Sequence, residues 1–179
     1  MANLDSSVIL ITGIMASGKS TVAQRLAERL PKSVHLRGDT FRRMIVRGRE
    51  EMTADYSPEA YRQLLLRYQL ARITADAYCE AGFTVVYQDV ILGAVLNDVV
   101  VELRRLRPTY VVVLCPSPEV VAQREAGRGK TGYGSWTPAD LDRSLRNETP
   151  QVGLWLDTSA LTIEETVDSI LARIDEGLW

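Results

Sequence analysis

The clearest chemistry in the chain lies in nine consecutive residues, Gly13-Ile14-Met15-Ala16-Ser17-Gly18-Lys19-Ser20-Thr21. They match G-x-x-x-x-G-K-[ST], the P-loop pattern, whose backbone N–H groups and following helix N-terminus cradle a polyphosphate. Gly13, Ile14, Met15, Ala16, Ser17, Gly18, Lys19, Ser20 and Thr21 are therefore the expected nucleotide-contacting set. In such a loop Lys19 reaches the β- and γ-phosphates and Ser20 offers its hydroxyl to the Mg²⁺ that travels with ATP. Two carboxylates stand where a phosphoryl-transfer site could use them. Asp39 follows the short run 33–37 and would accept or orient the proton of a substrate hydroxyl. It could equally cap a helix over 40–47. Asp89 ends the apolar run 83–89, the place of a metal-holding strand-end carboxylate opposite Ser20, or of a cap on the turn at 90–92. The next apolar run, 110–115, ends in Cys115-Pro116 with no acid, so Asp89 is the better metal candidate. Finally, 124–134 is rich in Arg and Gly, a composition suited to a flap whose arginines close over phosphates and exclude water.

These residues need a scaffold, and the hydrophobic pattern supplies one. Val8-Ile9-Leu10-Ile11 is a continuous apolar strand of the kind buried on both faces, and 21–30 carries Val22, Leu26 and Leu30 on one helical stripe. Strand, loop and helix follow one another in the order a P-loop requires. Further strands are expected at 33–37, 83–89 and 110–115, and 153–159 is expected to be a last short strand and turn. Helices are expected at 58–82, with Pro58 in its first turn, at 93–106 and at 117–124. Another starts at Thr137-Pro138, and a last one opens on the Thr162/Glu165 capping box and runs to about 174. Strands alternating with helices argue a parallel sheet covered on both faces. The fold class read from this is α/β, a P-loop NTPase three-layer sandwich with a five-stranded parallel sheet and an Arg/Gly-rich lid at about 124–136. Residues 1–179 are expected to form a single domain, with the acceptor-site segment at about 39–72.

The bulk properties exclude several classes of partner. Net charge is −2, so no global basic field advertises nucleic acid or an anionic membrane. Cys79 and Cys115 have no metal-ligand spacing and are expected to be reduced core thiols of a cytoplasmic protein. No run is long enough to span a membrane. Arg42, Arg43, Arg47 and Arg49 give one segment a basic face, either solvated or turned toward an anionic or polyhydroxylated substrate. Tyr56, Tyr61 and Tyr68 are candidates for a substrate wall or for the core. His35, the sole histidine, alternates with Val34 and Leu36 and is expected to be a packed strand residue.

The P-loop, the 35–41 stretch His-Leu-Arg-Gly-Asp-Thr-Phe, the 85–93 stretch around Gln88-Asp89, and 111–115 leading to 124–129 resemble P-loop small-molecule kinases, most closely the chloramphenicol phosphotransferase-like group. The resemblance implies a nucleoside-monophosphate-kinase-like fold. It also implies ATP and Mg²⁺ as cofactors, Asp39 as base or orienter, and Asp89 in the metal and phosphate site. Arg124 would lie against the adenine, Arg128 would meet the phosphates and stabilise transition-state charge, and the turn containing Thr158 would border the adenine. Where that group carries an Asp-Asp pair, this chain has Gln88-Asp89. The expected activity is transfer of the ATP γ-phosphoryl to a small-molecule hydroxyl. A nucleoside or nucleotide kinase and a nucleotide-dependent ATPase switch are the alternatives. The acceptor and the oligomeric state are not legible in the sequence.

Overall fold

The computed structural model describes residues 4–127 and 136–179. Five strands, β1 (Val8–Thr12), β2 (Ser33–Arg37), β3 (Thr84–Gln88), β4 (Thr109–Leu114) and β5 (Leu154–Leu156), form one parallel sheet in the order β2-β3-β1-β4-β5. Among the described residues, seven α-helices connect and cover them: α1 (Lys19–Arg29), α2 (Asp39–Arg43), α3 (Pro58–Glu80), α4 (Val95–Arg104), α5 (Pro118–Ala126), α6 (Pro138–Arg143) and α7 (Ile163–Ala172).

Every residue of β1, β3 and β4 is buried, which is why these segments are apolar throughout instead of alternating. The period-2 geometry of a strand still divides them between two cores. Val8, Leu10, Val85, Tyr87, Val111 and Val113 face α3 and α4, meeting Ala71, Ala75, Leu96 and Val100. Ile9, Ile11, Val86, Val112 and Leu114 face α1 and α7, meeting Val22, Leu26, Val167 and Ile170. Two such faces make the three-layer α/β sandwich expected from the sequence. β1 lies between β3 and β4, so the chain leaves β1 where strand order reverses, the place where open α/β sheets bind ligands at their carboxyl ends.

The helix ends follow the expected capping chemistry. Ser57 and Ser117 cap α3 and α5 ahead of Pro58 and Pro118, and Thr137 with Asp140 and Thr162 with Glu165 form complete capping boxes. Two local expectations need correction. The helix expected at 40–47 is α2, which ends at Arg43, and Asp39 is its first residue, not its cap. The last helix stops at Ala172 and gives way to a 3₁₀ turn, Ile174–Gly177. A π-helical turn, Ser144–Glu148, continues α6, and Arg146 within it donates to the Cys115 and Pro116 carbonyls at 3.3 and 3.1 Å, fastening the end of β4. Among the described residues, no helix is long and apolar enough to cross a membrane.

His35 lies half-buried on the α1 side of β2. Its Nδ1 sits 2.9 Å from Gln24 Oε1, and Nε2 is buried without a hydrogen-bond partner among the described residues. Desolvation, aided by the positive charge of Arg37, lowers its pKa from 6.5 to about 4. A depressed histidine favours the neutral ring in the fold, so the unfolded chain takes up a proton first as pH falls. We expect stability to decline between pH 6.5 and 4, and the His35→Gln variant to lose that part of the slope. Denaturant midpoints of both proteins across this window check it, and parallel curves would contradict it.

Candidate active site

The P-loop runs from the buried end of β1 to the first turn of α1. Gly18, at φ +95°, begins α1 in a left-handed conformation that a side chain would strain, and Ala16 adopts φ +60° despite its Cβ. Such turns aim successive N–H groups at one point. Lys19 is only 7 % exposed, and its Nζ donates to the Ile14 carbonyl at 2.6 Å and to Ser17 Oγ at 3.5 Å, folding the ammonium back over the loop it would share with phosphates.

Arg124, in the last turn of α5, bridges two expected nucleotide contacts. Its Nη1 donates to the Ser17 carbonyl at 3.4 Å and its Nη2 to the Thr158 carbonyl at 3.2 Å. Thr158 follows β5 and is buried, and its Oγ1 has no hydrogen-bond partner among the described residues. An unsatisfied buried hydroxyl is costly, so its place beside the arginine and the P-loop is a natural point for a polar ligand atom. Arg128 lies outside the described residues, as does most of the expected lid, 128–135.

Asp39 stands at the start of α2, beyond the carboxyl end of β2. Arg42 Nε donates to its Oδ1 at 2.9 Å and Arg43 Nε to its Oδ2 at 2.5 Å, while Arg42 also pairs with Glu51. Desolvation works to raise the Asp39 pKa, but the two arginines outweigh it and hold the carboxyl below its ordinary value. The group is thus an ionised acceptor, better suited to orienting a hydroxyl than to taking its proton early. The basic face read from the sequence is therefore partly spent on this carboxylate. Arg49 pairs with Glu51, while Arg47 is exposed.

Asp89 lies just beyond the carboxyl end of β3, one residue after Gln88. It follows the last residue of β3 on the Tyr87 side, toward α3, where Arg67 Nη2 meets its Oδ1 at 2.9 Å. The Val90 N–H donates to the same oxygen at 2.8 Å, and the Tyr87 hydroxyl donates to Oδ2 at 3.2 Å. Asp89 is 4 % exposed. Burial raises its pKa against the opposing pull of Arg67, the Val90 and Tyr87 hydrogen bonds, and the charge of Lys19. Gly38 packs so closely that a Cβ there would fall 1.9 Å from Asp89 Oδ2. Since Gly38 has φ −60°, close approach and not backbone freedom requires glycine. Asp89 thereby supports the turn that delivers Asp39. Gln88, one residue earlier and on the α1 face, is what meets Ser20: Ser20 Oγ donates to Gln88 Oε1 at 3.3 Å. Among the described residues no group of three or more His, Cys, Asp or Glu side chains could hold a metal by itself.

The acceptor-side segment was the least legible. Tyr68 is a core residue whose hydroxyl donates to the Val90 carbonyl, whereas Tyr56 and Tyr61 stack with centroids 5.9 Å apart on the exposed side. The loop between α2 and α3 is tied down by Gln63, which accepts from Glu50 N–H and donates to the Gly48 carbonyl, and by the Trp136 indole N–H on the Met52 carbonyl. Gln63 and Trp136 carried no sequence signal, because their contacts are set by where distant segments meet.

A family profile described as an AAA domain matches residues 8–149. No curated protein matches the chain significantly. Several solved structures share its fold. A sugar kinase from Janibacter sp. HTCC2649 is 20 % identical, with 94 % of each chain covered and a TM-score of 0.70. The tunicamycin resistance protein of Deinococcus radiodurans is also 20 % identical, with 96 % of this chain and 97 % of that one covered and a TM-score of 0.71. A gluconokinase from Sinorhizobium meliloti 1021 is 21 % identical, covering 95 % and 92 %, with a TM-score of 0.61.

Proposed function

From the premise that the chain belongs to the AAA domain family, which matches 142 of its 179 residues (8–149), we propose that it is a kinase transferring the γ-phosphoryl of ATP to a hydroxyl of a small molecule. The observation that carries this reading is the carboxyl edge of the sheet, where the P-loop with Lys19 follows β1, Thr158 with its Arg124 bridge follows β5 and the Asp39 carboxylate follows β2. The fold neighbours whose names describe a sugar kinase and a gluconokinase act on hydroxyl-bearing small molecules, which supports the acceptor class. The finer resemblance, to the chloramphenicol phosphotransferase-like group, rests on the sequence motifs alone.

In this mechanism the P-loop N–H groups hold the β- and γ-phosphates, and Lys19 exchanges the Ile14 carbonyl for phosphate oxygens. Arg124 and Thr158 border the base. Asp39 aligns the acceptor hydroxyl for in-line attack and receives its proton late, as bond formation withdraws electron density from the attacking oxygen and acidifies its proton. Arg128 would neutralise charge on the transferring group. Mg²⁺ bound with the nucleotide would screen the negative charge of the phosphates, and the Ser20 hydroxyl would help to hold it.

ADP release with Mg²⁺ and ATP, measured against aminoglycosides, chloramphenicol, nucleosides and sugars beside a no-acceptor control, tests the reading. Release that depends on an acceptor is the expected result and identifies its chemical class. Equal release in every well would overturn it in favour of an ATPase switch.

A further inference from the structure

At the carboxyl end of β3 the neighbouring residues Gln88 and Asp89 have different surroundings. Because side chains alternate along a strand, Val86 and Gln88 face α1, the helix that follows the P-loop, while Tyr87 and the following Asp89 face α3. The Asp89 carboxylate is engaged on both oxygens by Arg67, the Val90 N–H and the Tyr87 hydroxyl. Withdrawing it toward a cation would strand the buried Arg67 guanidinium, whose Nε already lacks a hydrogen-bond partner among the described residues. Gln88, by contrast, is 7 % exposed and places its side-chain oxygen 3.3 Å from Ser20 Oγ. Adjacent oxygens around an octahedral Mg²⁺ with bonds near 2.1 Å stand roughly 3 Å apart, so this pair has nearly the spacing of two neighbouring ligand positions.

We infer that Gln88, not Asp89, is the strand-end residue that meets the divalent cation beside Ser20, so that the protein offers it two neutral oxygens and no carboxylate. The inference rests on the proposed nucleotide site. Its consequence is specific. A cation held by uncharged donors gains its binding energy from the phosphates, so it enters as the metal–nucleotide complex, and the protein has little affinity for it alone. A carboxylate at the same position would attract free cation and repel metal-free triphosphate.

The test is equilibrium binding of a fluorescent ATP analogue, read without turnover, at a series of Mg²⁺ concentrations and in EDTA. Gln88→Asp is expected to lower the Mg²⁺ concentration needed for half-maximal nucleotide affinity by about tenfold, and to weaken binding in EDTA relative to the wild type. Gln88→Ala, which adds no buried charge, is expected to raise that Mg²⁺ concentration several-fold, by up to about tenfold, and it decides the matter if the Asp variant does not fold. Wild-type Mg²⁺ dependence in the folded variants, with nucleotide still bound, would overturn the inference and leave the kinase reading intact. Failure of the wild type to bind nucleotide at any Mg²⁺ concentration would overturn both.

Discussion

Asp39→Asn is expected to lower acceptor-dependent phosphoryl transfer by about 10²–10⁴-fold while leaving nucleotide affinity within a few-fold of the wild type. The substitution keeps the shape of the side chain and one oxygen that can accept from Arg42 or Arg43, but removes the charge that aligns and finally deprotonates the acceptor hydroxyl. Its effect on stability should be small. The ion pairs to Arg42 and Arg43 are partly solvent-exposed, with side-chain exposures of 31 and 74 % on the arginines and 35 % on Asp39, and such pairs contribute at most about 1 kcal/mol each. The same arginines set the pH behaviour. They hold the Asp39 carboxyl below its ordinary value, so the ionised form persists to lower pH than a free aspartate would allow. Wild-type transfer should therefore show no loss attributable to Asp39 until the pH falls below the usual carboxylate range. Thermal unfolding and nucleotide titration of the Asn variant provide the controls. If it folds, binds ATP and transfers at full rate, Asp39 merely anchors α2 and the kinase reading loses the residue that prepares its nucleophile.

The difference between Asp39 and Asp89 shows what the sequence could carry. The P-loop was legible because its chemistry is local: nine adjacent residues, an apolar strand before them and a helical stripe after them. The five-stranded sheet was legible for the same reason, since each strand is a separate apolar run with turn residues at its ends. The partners of Asp89 were not legible because β3 is buried on both faces. A strand with polar residues on one side announces which of its residues face solvent, but Thr84–Gln88 is covered throughout, and nothing in its composition assigns Gln88 to α1 and Asp89 to α3. The deciding partner, Arg67, sits 22 residues upstream among several arginines of α3 and its flanks, with no periodic signal to single it out. Gly38 was equally silent. It is required by the approach of a carboxylate from the next strand, a contact that exists only once β2 and β3 are paired.

Breaking the Arg67–Asp89 pair should cost the protein a large part of its stability. Both groups are shielded, with side-chain exposures of 13 and 4 %, and Arg67 also lies over the Tyr68 ring at 5.5 Å. Arg67→Met retains most of the aliphatic packing but leaves the Asp89 carboxylate with only the Val90 N–H and the Tyr87 hydroxyl as partners. An uncompensated buried charge of this kind typically costs about 3–5 kcal/mol, which for a chain of this size lowers Tm by roughly 6–20 °C. The loss should carry a pH signature that a packing defect would lack. Burial already raises the Asp89 pKa, and removing Arg67 removes the main force holding it down. A carboxyl whose folded-state pKa lies above its unfolded value favours the fold when protonated, and that advantage disappears as pH rises through the folded value. The deficit of Arg67→Met relative to the wild type should therefore be greatest at neutral pH and shrink on acidification. Adding Asp89→Asn to it should recover part of the loss at neutral pH, because the stranded charge is gone, and should flatten the pH dependence of the difference. Urea unfolding of the two variants and the wild type at neutral and acid pH distinguishes the outcomes. A deficit of less than about 1 kcal/mol, or one unchanged by pH, would mean that Asp89 finds other compensation and that the pair does not hold the turn bearing Asp39 in place.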